Sequence, residues 1–355
     1  CISPWNFPLA IFIGQISAAL VAGNCALVKP SASTELIAHR TIELCLEAGI
    51  PSEALHYLPS SATHFSKALL SDNRVAGVVF TGSFPVAQKI NRQLAERNSA
   101  IATVIAETGG LNAMIVDSTS LPEQVALDIM TSAFDSAGQR CSACRVLFIQ
   151  EDIADSLIKL LKGRMALLNI GNPLNPSMDI GPVINSDAMQ NISAHIEKMK
   201  FEGTMIMQSP LNYSSHNKSL HNKSSDNHTN AYFVPPTLIE IERLSQLKEE
   251  VFGPVLHLIR YPADSLDNII EQINQSGFGL TLGIHTRIES RAKEIAKKVN
   301  VGNIYINRNM IGATVGVQPF GGQGLSGTGP KAGGPRYLTR FTTEKTITNN
   351  TTAVG

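Results

Sequence analysis

The chain has 355 residues, 43% of them hydrophobic and 16% charged, with Lys+Arg and Asp+Glu balanced at 29 each. That length predicts two domains, the apolar share is enough to fill large cores, and the neutral balance excludes a polyanion-binding field. Five cysteines without a regular framework point to a reducing compartment rather than a disulfide-stapled secreted fold.

The chain opens on Cys1, followed at once by "SPWNFP" at 3–8. An N-terminal cysteine can serve as a hydrolase nucleophile, but a fragment boundary is the better reading. The apolar run "FPLAIFIGQISAALVAG" lacks a charged segment before it and contains Pro8 and Gln15. It therefore predicts a buried helix, not a signal or membrane span. "NCALVKP" (24–30) predicts a strand, and residues 33–51 a helix capped by Ser33 and stopped by Gly49 and Pro51. "LHYLP" then reads as a strand, "ATHFSKALLSD" as a helix and "VAGVVFTGS" as a strand. "PVAQKINRQLAERN" follows as a helix with Pro85 near its first turn, and "IATVIAE" as a strand. This alternation predicts an α/β fold with a parallel, doubly wound sheet.

A second α/β series begins near Gly109: strand "NAMIVD", helix "PEQVALDIMTSAFDSAG", strand "RVLFIQ", and later "FGLTLGIHT", "IESRAKEIAKKV" and "GNIYIN". Residues 209–230, "SPLNYSSHNKSLHNKSSDNHTN", read as a polar solvated insertion rather than a metal-binding tract. The tail "RFTTEKTITNN" alternates like an exposed strand suited to extending a sheet between subunits.

Four features carry chemistry. Asn6 stands in the Pro-bounded turn "SPWNFP", where a fixed amide can donate to an oxyanion. In "VVFTGSFPVAQ", Gly82, Ser83 and a helix N-terminus suit an anion, although the full G-x-G-x-x-G fingerprint is missing. Glu107 ends a strand in "AETGG", as a base or as a cap or ion-pair partner. Cys141 follows the Gly138 turn in "SAFDSAGQRCSACRV", three residues before Cys144. No second C-x-x-C or suitable His pair completes a zinc site, and a thioredoxin-like pair would open a helix rather than precede a strand. Cys144 is better read as small apolar filler.

These four features, with "KEEVFGPVLHLIRY" (248–261), resemble the aldehyde dehydrogenase superfamily. "ETGGLNAMIVDS", "FDSAGQRCSACRVL", "LTLGIHTRI" and "GNIYINRNMIGATVGVQPFGGQGLSGTGPKAGGPRYLTRF" narrow the likeness. They resemble the carboxy-terminal dehydrogenase module of the bifunctional proline utilization A proteins. That resemblance implies NAD-dependent oxidation of L-glutamate-γ-semialdehyde, the open form of Δ1-pyrroline-5-carboxylate, to glutamate. It implies Cys141 as nucleophile, Asn6 and the Cys141 N–H at the oxyanion, and Glu107 as the base for thioester hydrolysis. For NAD it implies Ser83 and the following helix at the pyrophosphate, beside Gly82, and Lys29 at the adenosine ribose. Glu250 would lie at the nicotinamide ribose and Phe252 at the nicotinamide ring.

For substrate it implies Ser142, Gly333 and Gly334 at the α-carboxylate, and Phe7 and Phe341 beside the aliphatic chain. No metal is implied. Where relatives often read "KPxE", this chain has Ala32, which weakens the case for strict NAD over NADP preference; Glu35 stands nearby on the predicted helix.

The implied organisation is an NAD-binding domain at 1–107, incomplete at its N-terminus, and a catalytic domain at 108–325 with the insertion at 209–230. Residues 326–355 would form a substrate-anchor loop and an oligomerisation tail. The family chain normally starts earlier, so a truncated piece of a longer cytoplasmic protein is expected. Its parent would carry a proline dehydrogenase (FAD) domain and form a homo-oligomer, with no nucleic acid bound by this segment and no membrane span. The rival readings are a catalytically inactive fragment kept as an interaction remnant, and a dehydrogenase for another aldehyde.

Overall fold

The computed structural model describes residues 1–210 and 232–354. Two units separate: residues 1–107, 314–320 and 328–355 form one, and 108–313 with 321–327 the other.

In the first unit the strands are β1 (Ala26–Val28), β2 (Leu55–Tyr57), β3 (Gly77–Gly82) and β4 (Thr103–Thr108, its last residue belonging to the second unit). β1 pairs with β2 in parallel, and β3 neighbours β4. The first residues of the chain stitch the two pairs together. Ile2 bridges Lys29 on one side and Phe80 on the other, both in parallel. Its N–H donates to the Val79 carbonyl at 2.8 Å, and the Lys29 N–H donates to the Cys1 carbonyl at 2.8 Å. The helices are α1 (Ala10–Val21), α2 (Glu35–Glu47), α3 (Ala62–Phe65) and α4 (Phe84–Ala95).

α1 buries Phe12, Gln15, Ile16, Ala18 and Ala19, while Val21 stays 71% exposed. The apolar run is thus buried along one stripe, packed with Val28, Ile42 and Leu55. Gln15 is accommodated because its Nε2 donates to Thr81 Oγ1 at 3.0 Å. α2 differs from the expected capping. Ser31, not Ser33, accepts the first free N–H, that of Ser33, and a 3-10 turn at Ala32–Thr34 precedes the helix. The expected helix after β2 is α3 running into a π turn at Ser66–Leu70.

The second unit is built on β5 (Ala113–Val116), β6 (Val146–Gln150), β7 (Thr204–Gln208), β8 (Thr237–Glu240), β9 (Val255–Tyr261), β11 (Thr281–His285) and β12 (Asn303–Ile306). They form one sheet in the order β12-β11-β5-β6-β9-β8-β7, parallel except for β7 against β8. β10 (Phe278–Gly279) pairs separately with β13 (Gln323–Gly324). α5 (Pro122–Phe134), α6 (Glu151–Ala166), α7 (Ser186–Glu202), α8 (Leu266–Gln275) and α9 (Glu289–Lys298) complete it. β5 and β6 are buried at every position, as befits parallel strands covered on both faces, which read as unbroken apolar runs.

The tail departs from expectation. A 3-10 turn spans Leu338–Phe341, and residues 342–350 are exposed without strand geometry. Alternation marks a segment that can be a strand, but a ladder needs a second backbone to supply its hydrogen bonds. The polar insertion lies, from residue 211 onward, outside the described residues. Among the described residues no helix is long and apolar enough to cross a membrane.

Candidate active site

Cys141 is placed by a backbone turn that residues of the second unit hold. α5 ends at Phe134, and Ser136, Ala137 and Gly138 then adopt three successive left-handed conformations (φ 56°, 53° and 66°). Two of these are not glycine, so the bend costs roughly 1–2 kcal/mol at each. Gly138 is required on two grounds: its φ, and the 2.2 Å at which a Cβ would meet the Gly253 carbonyl.

Beyond that bend the chain turns at Cys141–Ser142, and Asn112, just before β5, holds the turn. Its Nδ2 donates to the carbonyls of Cys141 (2.6 Å) and Ala143 (3.0 Å), and its Oδ1 accepts the Thr281 N–H at 3.2 Å. Thr281 Oγ1 donates to the Ser142 carbonyl at 3.2 Å. The Cys141 thiol is left half-buried and free of any disulfide.

Cys144 is different. It is fully buried, and burial pushes its thiol up to about 12, so it is inert as a nucleophile at neutral pH.

Arg145 ties the turn to the segment that carries Glu250. It is 1% exposed and donates from Nη1 to the Gly138 (2.6 Å) and Gly253 (3.2 Å) carbonyls, and from Nη2 to the Arg140 carbonyl (3.0 Å). Its Nε and Nη2 both reach Glu250 Oε1, at 3.1 and 2.9 Å. Its guanidinium lies 5.1 Å from the Phe252 ring centre, a cation–π distance. Burial pushes the Glu250 carboxyl up, opposed by Arg145 and by the Gly110 N–H that donates to it. The carboxylate packs so closely over Gly109 that a Cβ there would come within 1.7 Å of Oε2. The "GG" after Glu107 thus includes the residue that makes room for Glu250.

The first unit carries the remaining residues singled out from the sequence. Asn6 and Phe7 lie half-buried in the bend before α1. Lys29, at the end of β1, is 9% exposed, donates to the Pro30 carbonyl at 3.1 Å, and is pushed down by burial, opposed by Glu35. Gly82 ends β3, where a Cβ would meet the Phe80 ring at 2.5 Å. Ser83 is the extended N-cap residue of α4, and its side chain makes no capping bond. The helix end is thus not capped by the Ser83 side chain, and free N–H groups beside a hydroxyl are a donor set that fits a diphosphate.

Glu107, at the end of β4, is half-buried. Its charge, after burial, helps to push Tyr337 up to about 12. Tyr337 meets Phe341 edge-on at 5.2 Å, and Asn24 Nδ2 holds the Phe341 carbonyl at 2.8 Å. Gly333 has φ 71°, and the Gly334 N–H donates to the Lys331 carbonyl at 3.1 Å within the same turn.

Within the second unit, then, Cys141, Ser142, Glu250 and Phe252 belong to one connected framework. Asn112, Arg145 and Thr281, which hold that framework, were not singled out from the sequence. Asn112 and Arg145 each lie within a quoted motif, but nothing local distinguishes either from its neighbours.

The aldehyde dehydrogenase family model matches residues 1–347. The chain belongs to the aldehyde dehydrogenase family. It is 53% identical over 344 residues to the bifunctional protein PutA of Escherichia coli, covering 96% of this chain and 26% of that protein. The crystal structure of a mutant of Bradyrhizobium japonicum proline utilization A superposes with a TM-score of 0.92 at 51% identity, covering 100% of this chain and 35% of that one. A Thermus 1-pyrroline-5-carboxylate dehydrogenase with bound NAD superposes with a TM-score of 0.86 at 32% identity, covering 96% and 63%. The chain thus spans about a quarter of the length of the curated PutA relatives it matches. The α/β aldehyde dehydrogenase fold expected from the motifs is the fold observed.

Proposed function

We propose that this chain carries the NAD-dependent oxidation of L-glutamate-γ-semialdehyde to L-glutamate. The carrying observation is the Cys141 turn: a half-buried thiol outside any disulfide, whose backbone is fixed by Asn112 and Thr281, with the Arg145–Glu250 pair joined to the same loop. Such rigidity is what a nucleophile needs, since misplacement by about 1 Å costs on the order of a hundredfold in rate.

The thiolate of Cys141 attacks the aldehyde carbon to form a thiohemiacetal. The Asn6 amide and the Cys141 N–H stabilise its oxyanion. NAD+, when bound, supplies the hydride acceptor through which the adduct becomes a thioester. Glu107 then takes a proton from water, which attacks the thioester carbonyl and releases glutamate and the free thiolate. Ser83 and the open end of α4 would hold the cofactor's diphosphate, with Gly82 permitting close approach and Lys29 at the adenosine ribose. Glu250 and Phe252, both held by Arg145, would meet the nicotinamide half.

The substrate assignment draws support from the relatives whose names specify 1-pyrroline-5-carboxylate. Ser142, Gly333 and Gly334 are the proposed carboxylate contacts, although the Gly334 N–H is shared with a turn carbonyl. Phe7 and Phe341 would flank the chain of carbons. On the same reading, residues 1–107 serve the cofactor, 108–325 the catalytic turn, and 326–355 the substrate and the subunit contact. The parent protein is a cytoplasmic homo-oligomer that couples this step to a flavin-dependent proline dehydrogenase.

The test is NADH formation with pyrroline-5-carboxylate against a plain aliphatic aldehyde. Selective turnover of the amino-acid aldehyde supports the reading; equal or inverted preference sinks the substrate assignment.

A further inference from the structure

Tyr305, in β12, is 5% exposed and its hydroxyl is buried without a hydrogen-bond partner. A buried orphan hydroxyl is costly, about 1–3 kcal/mol, so its retention calls for a role. Its place in the sheet suggests one. Tyr305 is the register partner of Gly283 in β11, which is in turn the partner of Met114 in β5. Directly paired residues share a face of the sheet, and so do residues two apart along a strand. Tyr305 therefore lies on the face that carries Thr281 and Asn112, the two side chains that hold the Cys141–Ala143 turn. Gly283 carries no side chain, and that of Met114 packs over it, within 3.0 Å of where a Cβ would stand.

Arg308 lies over the Tyr305 ring at 5.3 Å. The phenol's pKa is raised chiefly by burial, countered by Arg308, and raised further by the charge of Cys141. A phenol kept protonated in this way can donate but not accept charge.

We propose that the Tyr305 hydroxyl is a hydrogen-bond donor reserved for the ionised sulfur of Cys141. As the thiol loses its proton, the hydroxyl gains the partner it lacks, and the thiolate gains a charge-assisted bond. Charged groups of the second unit near this turn include Asp135 and Arg140, which act on each other, together with Arg145, Glu250 and Arg308. Arg145 is engaged by Glu250 and by carbonyls of the loop, and Arg308 by the ring of Tyr305 itself and the Asn309 carbonyl.

This assignment rests on Cys141 being the nucleophile, and the experiment separates the two. Iodoacetamide alkylation of the full chain is followed against pH by peptide mass spectrometry, with exposed Cys25 as internal reference. In the wild type, Cys141 is expected to titrate below Cys25. In Tyr305→Phe its midpoint is expected to rise by about one pH unit, the effect of a single hydrogen bond to a charged group. The Cys25 profile and the melting temperature should be unchanged or, for the latter, slightly higher, because Phe removes only an unpartnered hydroxyl. A Cys141 midpoint equal to that of Cys25 in the wild type would overturn the nucleophile reading and this one with it. An activated Cys141 whose midpoint is the same in Tyr305→Phe would overturn the Tyr305 assignment alone.

Discussion

Arg145 grips a single oxygen of Glu250 with two of its nitrogens, at 3.1 and 2.9 Å. The guanidinium is 1% exposed and the carboxylate 15%, so each is the other's main compensation for leaving water. The remaining donors of Arg145 close the loop carrying Cys141, so one side chain positions both that loop and a proposed cofactor contact.

Arg145→Met should therefore destabilise the chain by about 3–5 kcal/mol, the cost of stranding a buried charge. Adding Glu250→Gln to that variant should recover part of the loss, since the stranded charge is gone. Urea unfolding of the two single variants and the double variant checks this.

Gly109→Ala should lower activity more than stability. The new methyl group would overlap Glu250 Oε2, and the cheapest relief is a rotation of that carboxylate off Arg145. Steady-state kinetics beside a melting curve should show a large fall in kcat/KM with a modest loss of stability, roughly 1–3 kcal/mol.

Asn112→Asp replaces the amide nitrogen that donates to the Cys141 and Ala143 carbonyls with a second acceptor. Oxygen then faces oxygen, and the turn must open. A kcat at least tenfold lower is expected, with KM for the aldehyde changing less, because the proposed nucleophile Cys141 is displaced while contacts to the rest of the substrate persist.

His257 sets a pH dependence. Its Nε2 lies 2.9 Å from His195 Nε2, and its Nδ1 3.1 Å from the Arg145 carbonyl. Burial, then the charge of His195, pushes it down to about 3, against about 6.5 unfolded. Between these values the unfolded chain binds a proton that the folded chain refuses. Stability is thus fully present above about pH 6.5 and is lost as pH falls, at up to about 1.4 kcal/mol per unit from this group. His257→Asn should flatten that slope in urea titrations at pH 7.5 and 5; an unchanged slope would remove His257 as its source.

Glu35 opens α2, and its charge reaches Lys29 and Tyr57, while Ala32 stands exposed just before it. If Glu35 supplies the carboxylate that Ala32 lacks, Glu35→Gln should weaken NAD binding and narrow the gap to NADP in thermal-shift titrations.

Most of the architecture was legible because apolar runs and helical periods alternate along both halves. β5 and β6 read as strands since each is an unbroken apolar run flanked by turn residues. Three things were not legible. The capping role of Ser31 over Ser33 depends on a 3-10 turn that propensity does not signal. The tail at 342–350 alternates, but alternation cannot say whether a second backbone is present to pair with it. Arg145 reads only as the first residue of the strand "RVLFIQ", because its role depends on Glu250, more than a hundred residues away. The site motifs were visible as local strings; the groups that hold them in place were not, because they act through contacts distant in sequence.

The most direct test of the central claim is NADH production at 340 nm by the wild-type chain and by Cys141→Ala, with NAD+ and pyrroline-5-carboxylate. Turnover by the wild type and none by the alanine variant is the expected result. Equal turnover by both would contradict the assignment of Cys141 as the nucleophile.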